Sequence, residues 1–272
     1  MPFYSADFPY ESLLPLLEAF ELRHPSNQDA QPPPGLPDNL QDMRTQWNKF
    51  YAKHSTKFFH PRGFLLEEFP VLHECDKILE VGVGNGSNLA ALLSDTSCSE
   101  LQACEVSDTA LAALELVPAF MPALESGRLK PFLWDITTPL IGGVEPHSMD
   151  GCTAFFVLSA CPPQSHRDAI RNLVSTLKVG ASFCFRDYAQ GDIAQLRAED
   201  SGVLTSKSHV RPDLTLSYYF TCEEVSSLLS EAGLEVVECA YHTVENHNRK
   251  KGTSLKRAFV HALGRVAKKT WE

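Results

Sequence analysis

The sequence contains no long apolar run and no closely paired cysteines. Hydrophobic residues make up 43% of its 272 residues, yet no stretch approaches the ~20 consecutive apolar residues that a membrane-spanning helix needs, so we expect a globular chain outside the membrane. The eight cysteines form no CxxC pair, which favours reduced thiols over a disulfide framework or a metal site. Because the first ten residues lack basic residues and an apolar core, we expect no targeting peptide and a cytoplasmic location, with a nuclear share left open.

The chain also lacks an overall excess of basic residues. Its formal net charge of -10 argues against a protein that coats nucleic acid indiscriminately. The charge is uneven, however. Residues 249–272 hold eight basic residues against one acid, a balance of +7, and residues 43–66 hold five basic and six aromatic residues without an acid. Basic residues interleaved with aromatic ones suit a polyanion with stackable bases, although a solvated amphipathic helix is the other interpretation of either region.

Composition divides the chain into three predicted parts. Residues 1–40 form an acidic extension that ends in a proline-rich stretch, which predicts a linker; within it, residues 10–20 have helix-spaced leucines and could dock on the main domain or on a partner. Residues 41–70 form an aromatic and basic cap segment. Three of its aromatic residues have helical spacing: Trp47, Phe50 and Tyr51. Residues 71–272 form the main domain, which ends in the basic patch.

Strand and helix patterns alternate from residue 77 onward. Seven strands are predicted, at residues 77–81, 100–106, 128–134, 152–158, 182–187, 234–241 and 255–263. One intervening helix has a stripe of apolar residues and is predicted to end at Val179-Gly180. A β-excursion is predicted over residues 208–220, with its turn near Pro212, and a helix over residues 222–232. This order predicts an α/β fold with a mostly parallel sheet and helices on both faces.

A glycine-rich turn follows the first predicted strand. Gly82, Gly84 and Gly86 alternate there, and glycines allow a sharp turn and the close approach of a ligand. Glu105 ends the second strand about 20 residues later, where a carboxylate can accept both hydroxyls of a ribose. Capping of the next helix is the other interpretation of Glu105. Together these residues predict a nucleotide-containing cofactor.

Acidic residues after two strands narrow the choice of cofactor. Asp135 follows the third strand, where it can accept from an adenine amino group while Ile136 packs on the ring. Taken alone, Asp135 is more often a turn residue. Ser87 occupies the position of the third glycine that a dinucleotide site requires. S-adenosylmethionine has no phosphate to bind, so the sequence favours it over NAD.

Linked motifs over residues 44–262 resemble one methyltransferase family. They occur in this order: Trp47-Asn-Lys-Phe-Tyr51, Ser55-Thr-Lys-Phe-Phe59, Leu79-Glu-Val-Gly82, Phe156-Val-Leu-Ser-Ala160, Phe185-Arg-Asp-Tyr188, Val210-Arg211 with Ser217-Tyr-Tyr-Phe220, and Asn248-Arg-Lys-Lys251. The family is that of the eukaryotic enzymes that form N3-methylcytidine at position 32 of the tRNA anticodon loop. The resemblance implies a Rossmann-like, class I methyltransferase fold.

The resemblance also implies the site residues. The predicted cofactor-binding residues are Gly82, Gly84, Glu105, Asp135, Ile136, Trp47, Tyr51 and Phe155. The predicted catalytic residues are Asp187 and Arg186. The predicted substrate-binding residues, around a flipped cytosine or along the RNA, are Phe58, Arg62, Ser159, Tyr188, Arg211, Arg249, Lys250 and Lys251. Core packing is the other interpretation of Trp47 and Tyr51, and a structural ion pair is that of Arg186 with Asp187.

Several positions depart from the family pattern. Glu105 replaces the more usual aspartate, which keeps the carboxylate and lengthens its reach. Asp213-Leu214 stands where Asp-Gly is common, and Leu216 stands where arginine is frequent, so the resemblance implies no RNA contacts in this turn. Cys161-Pro-Pro replaces Val-His-Pro. None of these changes removes a predicted cofactor residue.

The implied activity is methyl transfer from S-adenosylmethionine to N3 of cytidine 32 in tRNA. The expected partners are tRNA, in particular the serine and threonine tRNAs, and a helper such as seryl-tRNA synthetase, on which some family members rely. Two alternatives stay open. A small-molecule methyltransferase would explain the acidic body but neither basic region, and an inactive partner subunit would not need the complete set of cofactor residues.

Overall fold

The protein is described by a computed structural model over residues 7–24, 43–54, 65–140, 142–248 and 253–267. Its strands are β1 (Lys77–Val81), β2 (Glu100–Glu105), β3 (Leu129–Leu133), β4 (Met149–Phe155), β5 (Leu177–Tyr188), β6 (Val203–Thr205), β7 (Ser208–Val210), β8 (Leu216–Tyr218), β9 (Leu234–Asn248) and β10 (Thr253–Val266). Its helices are α1 (Leu14–Arg23), α2 (Met43–His54), α3 (Leu65–Glu68), α4 (Leu89–Asp95), α5 (Asp108–Leu114), α6 (Met121–Glu125), α7 (His166–Val174), α8 (Ile193–Leu196) and α9 (Cys222–Glu231).

Seven strands form the central sheet in the order β3-β2-β1-β4-β5-β10-β9. The first five strands are parallel, and β10 runs antiparallel to both of its neighbours. Ile78 and Leu79 of β1 are both fully buried and face opposite sides of the sheet. Leu79 belongs to the core that includes α7 and α9, whereas Ile78 belongs to the core that includes α4 and α5. The predicted mostly parallel, seven-stranded sheet with helices on both faces is confirmed.

One predicted helix end is wrong. The helix α7 ends at Val174, and Leu177 starts β5 opposite Met149 of β4. The register then shifts, because Ser182 lies opposite Gly151, so β5 holds more residues than β4 along this stretch. Val179-Gly180 therefore lies in an irregular part of a strand. Leu177 is buried as a helix stripe would require, but the sheet buries it.

The β-excursion forms a separate sheet of three strands, β6-β7-β8. The predicted pair of strands with a turn near Pro212 is present as β7 and β8, which pair antiparallel. The strand β6 was not predicted, since it has only three residues.

The hairpin of β9 and β10 is longer than the sequence predicts. The strand β5 pairs with β10 only from Phe259 to Arg265, whereas β9 continues to pair with β10 as far as Thr253. The residues before Phe259 therefore form a two-stranded ribbon that extends past the sheet at the edge where β5 ends.

Residues 7–24 pack against the main domain. The side chains of Phe8, Leu13 and Phe20 are buried, and the Thr243 hydroxyl of β9 donates to the Phe8 carbonyl at 2.5 Å. The Tyr10 ring stacks on Tyr241, with ring centroids 3.6 Å apart. Of the two docking sites considered for this segment, the structure shows the main domain; the predicted boundaries at residues 40 and 70 stay predictions. No helix in the described ranges has the length and apolar character needed to cross a bilayer.

Candidate active site

A cavity of about 770 Å³ opens at the carboxyl ends of β1 to β4, where parallel α/β sheets bind their ligands. The turn after β1 and the ends of β2 and β3 form its floor, the segment after β4 forms one wall, and α2 covers it. The residues that line it include Trp47, Tyr51, Gly82, Glu105, Asp135, Ile136 and Phe156. Of the eight predicted cofactor residues, six therefore face this cavity, and Gly84 lies in the turn beside it.

The glycine turn brings backbone close to two side chains. A Cβ added at Gly82 would lie 2.5 Å from Val157 Cγ2, and one added at Gly84 would lie 2.5 Å from the Tyr51 hydroxyl. Gly84 also has a φ of +53°, a conformation that costs other residues about 1–2 kcal/mol. The turn therefore needs glycine both for its backbone shape and for contact with the helix that covers the cavity.

Replacing Gly84 by alanine should weaken S-adenosylmethionine binding about tenfold, or about 1.4 kcal/mol, because Tyr51 would have to move. Gly180→Ala is the matched control: its φ is +82° and no atom lies within 4 Å of the added Cβ. Both variants should lose stability from backbone strain. Calorimetry with the cofactor should separate them, and equal affinities would show that the position of Tyr51 does not matter for binding.

Glu105 connects the glycine turn to the end of β2. One carboxylate oxygen accepts from the Gly84 amide at 2.9 Å, and the other accepts from the amides of Val106 at 2.8 Å and Ser107 at 3.1 Å. Burial raises the pKa of the Glu105 carboxyl, and these backbone hydrogen bonds oppose the rise. The side chain thus fixes the turn while it lines the cavity. Ser107, and not Glu105, caps α5 by accepting from Ala110.

Glu105→Gln should reduce S-adenosylmethionine affinity by roughly 1–3 kcal/mol, about 5- to 150-fold. The amide group cannot accept all three backbone hydrogen bonds and any ribose hydroxyl as well. Glu100→Gln, at the opposite end of β2 and paired with Lys130 on the surface, is the control. Titration calorimetry on both folded variants checks the prediction, and unchanged affinity for Glu105→Gln would remove Glu105 from the site.

Asp135 and Ile136 lie at the far end of the cavity. One Asp135 oxygen accepts from the amide of Thr137 at 2.9 Å and from its hydroxyl at 2.7 Å, as a turn residue does. The other oxygen makes no hydrogen bond within the described residues. Ile136 is 6% exposed beside it. Asp135 therefore serves the turn with one oxygen and offers the other to a ligand.

The helix α2 is held over the cavity by contacts that the sequence analysis missed. The Asn48 side-chain oxygen accepts from the Ser107 hydroxyl at 2.6 Å, and Arg44 forms an ion pair with Asp108 at 2.8 Å. Both partners lie at the start of α5. Trp47 and Tyr51 line the cavity below, with ring centroids 5.9 Å apart. These two aromatic residues are placed as a cover and lie outside the two large cores.

The structure does not bring Phe155 to the cavity. Its ring is 4% exposed and packs on Phe69, with ring centroids 5.2 Å apart. The next residue, Phe156, lines the cavity instead. Phe156 has a φ of +60°, a strained conformation of the kind that clusters at functional sites. The positive φ occurs where β4 ends, so the alternation of side chains along the strand does not apply to Phe156.

Asp187 lies behind the segment that follows β4. It is fully buried, and its carboxylate accepts from the amides of Ser159 and Tyr188, each at 2.9 Å. Burial raises the pKa of the Asp187 carboxyl to about 6. Ser159 is 2% exposed, and the Tyr188 ring lies 5.1 Å from the Phe156 ring. The predicted catalytic acid thus adjoins the cavity wall without lining the cavity.

Arg186 has a structural partner that the sequence did not suggest. Its guanidinium pairs with Glu68 of α3 and contacts His242 Nδ1 at 2.8 Å, and both side chains of the ion pair are buried. Arg186 also lies 4.6 Å from the centroid of the Phe259 ring. Adjacent residues of a strand face opposite sides, so the alternative ion pair of Arg186 with Asp187 is wrong.

Five predicted substrate residues lie outside the described residues: Phe58, Arg62, Arg249, Lys250 and Lys251. Arg211, by contrast, is described and lies near Tyr188, with its guanidinium carbon 5.8 Å from the ring centroid.

The chemistry of the cavity fits S-adenosylmethionine. Among the described residues that line it, the charged ones are Glu105 and Asp135, both acidic. Two carboxylates favour binding of a cationic sulfonium compound with ribose hydroxyls and an adenine amino group. They disfavour binding of a pyrophosphate, because its negative charges would be repelled. The apolar and aromatic lining, which includes Trp47 and Ile136, suits an adenine ring.

The fold and the site define a class I S-adenosylmethionine-dependent methyltransferase. The structure is similar to the Burkholderia thailandensis 1,6-didemethyltoxoflavin-N1-methyltransferase with bound S-adenosylhomocysteine, with a TM-score of 0.59 at 14% identity over 90% of this chain and 100% of that one. No protein-family model matches the chain.

Curated relatives narrow the class. The chain is 34% identical to the mouse tRNA N(3)-cytidine methyltransferase METTL6 over 227 residues, which cover 80% of this chain and 79% of that one. It is 30% identical to the tRNA(Thr) (cytosine(32)-N(3))-methyltransferase of Saccharomyces cerevisiae, over 80% of this chain and 36% of that one. The chain therefore belongs to the tRNA N(3)-cytidine methyltransferase family, and S-adenosylmethionine is its methyl donor.

Proposed function

We propose that the protein methylates N3 of cytidine 32 in the anticodon loop of tRNA. The observation that carries the proposal is the similarity to METTL6 over 80% of the chain, together with a cavity in which the predicted acids after β2 and β3 both take part. The name of the yeast relative includes cytosine 32 of tRNA(Thr), which supports this position.

Alignment is the main requirement of the reaction. Neutral cytosine N3 carries a lone pair in the plane of the ring, so it attacks the sulfonium methyl group without first losing a proton. S-adenosylmethionine, when bound, supplies that methyl group, and the covering helix α2 and the glycine turn keep it in one orientation. The target base must leave its stack, which costs less in a loop than in a duplex.

Asp187 is proposed to stabilise the positive charge that grows on the cytosine ring. A carboxylate close to developing charge, in surroundings from which water is excluded, lowers the barrier. One of its two backbone hydrogen bonds also holds the amide of Ser159, and with it the segment that carries Phe156. Charge and positioning thus come from the same group.

The remaining proposals concern partners and location. The two basic regions are proposed to bind tRNA, with the serine and threonine tRNAs as substrates and seryl-tRNA synthetase as a helper. The cytoplasm is the proposed location. The acidic extension over residues 1–40, the cap segment over residues 41–70 and the catalytic domain over residues 71–272 are proposed as the organisation of the chain.

Transfer of a labelled methyl group to tRNA tests the function. The full chain is incubated with labelled S-adenosylmethionine and unmodified tRNA, with and without seryl-tRNA synthetase, and the nucleosides are then separated by mass spectrometry. The expected product is N3-methylcytidine, which is lost when cytidine 32 is replaced by uridine. Binding of the cofactor without transfer under either condition would favour the inactive subunit, and label only in small molecules of a cell extract would favour the small-molecule enzyme.

A further inference from the structure

Two arginines flank the Tyr188 ring, beside the wall of the cofactor cavity. The guanidinium carbons of Arg211 and Arg257 lie 5.8 Å and 5.6 Å from its centroid. Tyr188 contacts Phe156, which lines the cofactor cavity. The two cations therefore lie next to the place where a methyl acceptor would enter. Arg257 belongs to the basic region over residues 249–272 but is not among the individual substrate-binding residues predicted from the sequence.

Arg257 is fixed from behind by a buried carboxylate. Its Nε donates to Asp192 Oδ2 at 2.8 Å, and the same oxygen accepts from the Ala258 amide at 2.9 Å. The other oxygen of Asp192 accepts from the Ala194 amide at 2.8 Å. Asp192 is fully buried, while a quarter of the Arg257 side chain is exposed. Asp192 contacts Nε, so the terminal amino groups of the guanidinium, which lie beside Tyr188, can also bind a second partner.

Arg211 has a weaker set of partners. Its Nη2 donates to the Ser217 hydroxyl at 3.1 Å, and within the described residues no carboxylate forms an ion pair with it. A half-buried guanidinium whose side-chain hydrogen bond, among the described residues, goes to a hydroxyl has donors left for an anion from outside the chain. Arginine binds phosphate oxygens through two parallel hydrogen bonds, so a phosphodiester group is the chemistry that would complete this site.

The N-terminal segment braces the loop that holds Arg257. The Tyr10 hydroxyl donates to the Gln190 carbonyl at 3.0 Å. Leu13 packs so closely on Gly191 that an added Cβ would lie 3.2 Å from it. These contacts set the position of Asp192, the next residue, before any ligand arrives. Preorganisation of this kind reduces the cost of ordering on binding.

We propose that Arg211 and Arg257 bind the phosphodiester groups on the two sides of the methylated cytidine, with Tyr188 between them. The inference rests on the proposed function, since it takes RNA as the acceptor. It adds Arg257 as an RNA-binding residue and Asp192 as the residue that positions it. The backbone of the RNA is thereby fixed at the nucleotide that leaves the stack.

The test is the salt dependence of RNA binding. Binding of an unmodified anticodon stem-loop that contains cytidine 32 is measured by fluorescence anisotropy over a salt series, with S-adenosylhomocysteine present. Arg257→Met and Arg211→Met should each weaken binding about five- to tenfold near physiological salt and reduce the slope of log affinity against log salt by about 0.7, as expected for one lost contact in a single strand. Affinity for S-adenosylhomocysteine should stay at the wild-type value.

Arg167→Met is the matched control. Arg167 forms an exposed ion pair with Glu231 at 2.7 Å on the surface of α7, so this variant loses the same charge from a position away from Tyr188. It should keep the wild-type slope. Arg257→Met leaves the buried Asp192 without its cation, so this variant could fail to fold. In that case the double variant Asp192→Asn with Arg257→Met replaces it in the test, and the salt slope of the double variant should also fall.

Two results would overturn the inference: wild-type slopes in the Arg257 and Arg211 variants, or an equal loss of slope in the Arg167 control. Failure of the proposed function gives a different result. The wild-type protein would then bind the stem-loop without forming N3-methylcytidine, and the comparison of slopes would still decide whether the two arginines contact RNA.

Discussion

Replacing Asp187 by asparagine is expected to slow the methyl-transfer step about 10²-fold, the scale of losing one preorganised charged group. The carboxylate is fully buried and accepts two backbone hydrogen bonds, from Ser159 and Tyr188. Asparagine keeps the shape, removes the charge and retains one good acceptor. Single-turnover kinetics measure the step, and the affinities for cofactor and tRNA should stay near the wild-type values.

The pH dependence gives a second measurement on the same variant. Burial raises the pKa of Asp187 to about 6, so the carboxylate is charged above that pH and becomes protonated below it. The wild-type rate should therefore fall as the pH drops through about 6, and Asp187→Asn should lose this step. Asp168→Asn, on the exposed surface of α7, is the control. A destabilised Asp187→Asn protein with the normal rate per folded molecule would contradict the proposed role of Asp187.

Replacing Arg186 by methionine is expected to lower the free energy of unfolding by about 3–5 kcal/mol, as happens when one partner of a buried ion pair is removed. Glu68 would be left charged, with its side chain 10% exposed. Denaturant titration measures the loss. The double variant Glu68→Gln with Arg186→Met should recover much of it, because the buried carboxylate that has lost its arginine is then replaced by a neutral amide. Arg171→Met, which breaks an exposed ion pair with Asp168, should cost no more than about 1 kcal/mol.

The Arg186 variants also separate a structural role from a catalytic one. On the structural interpretation, the double variant transfers methyl groups at nearly the wild-type rate per folded molecule. A stable double variant that has lost the transfer step would instead place Arg186 among the groups that contact the substrate. The structural interpretation of Arg186 rests on its ion pair with Glu68, which lies 118 residues away in sequence.

Sequence patterns predicted the strands of the central sheet and the acids at their ends, because local residue patterns determine both. The central strands are rich in apolar residues because both of their faces are buried. The acids after β2 and β3 reach one cavity because parallel strands end at the same edge. Glu68 and Asn48 could not be predicted, since their partners are distant in sequence and their own neighbours give no signal. Asp192 was missed for the same reason.

Errors arose where a regular period stops. The family resemblance implied Phe155 as a cofactor residue, whereas Phe156 lines the cavity, because its positive φ ends the side-chain alternation of β4 and turns its ring inward. Leu177 continues a helical stripe in sequence but starts a strand, because the irregular register of β5 accommodates the residues that follow it. The length of the β9 and β10 hairpin was underestimated, since its outer part has polar and basic residues in place of a buried alternation.

The hydrogen bond between Thr243 and Phe8 has a consequence for how the chain folds during its synthesis. The two residues lie 235 positions apart, so the first helix leaves the ribosome long before its binding surface exists. During that interval Leu13 and Phe20, both buried in the finished protein, remain exposed, and exposed apolar surface promotes aggregation. Synthesis of β9 therefore marks the point at which the beginning of the chain can fold, and contacts so distant in sequence form slowly.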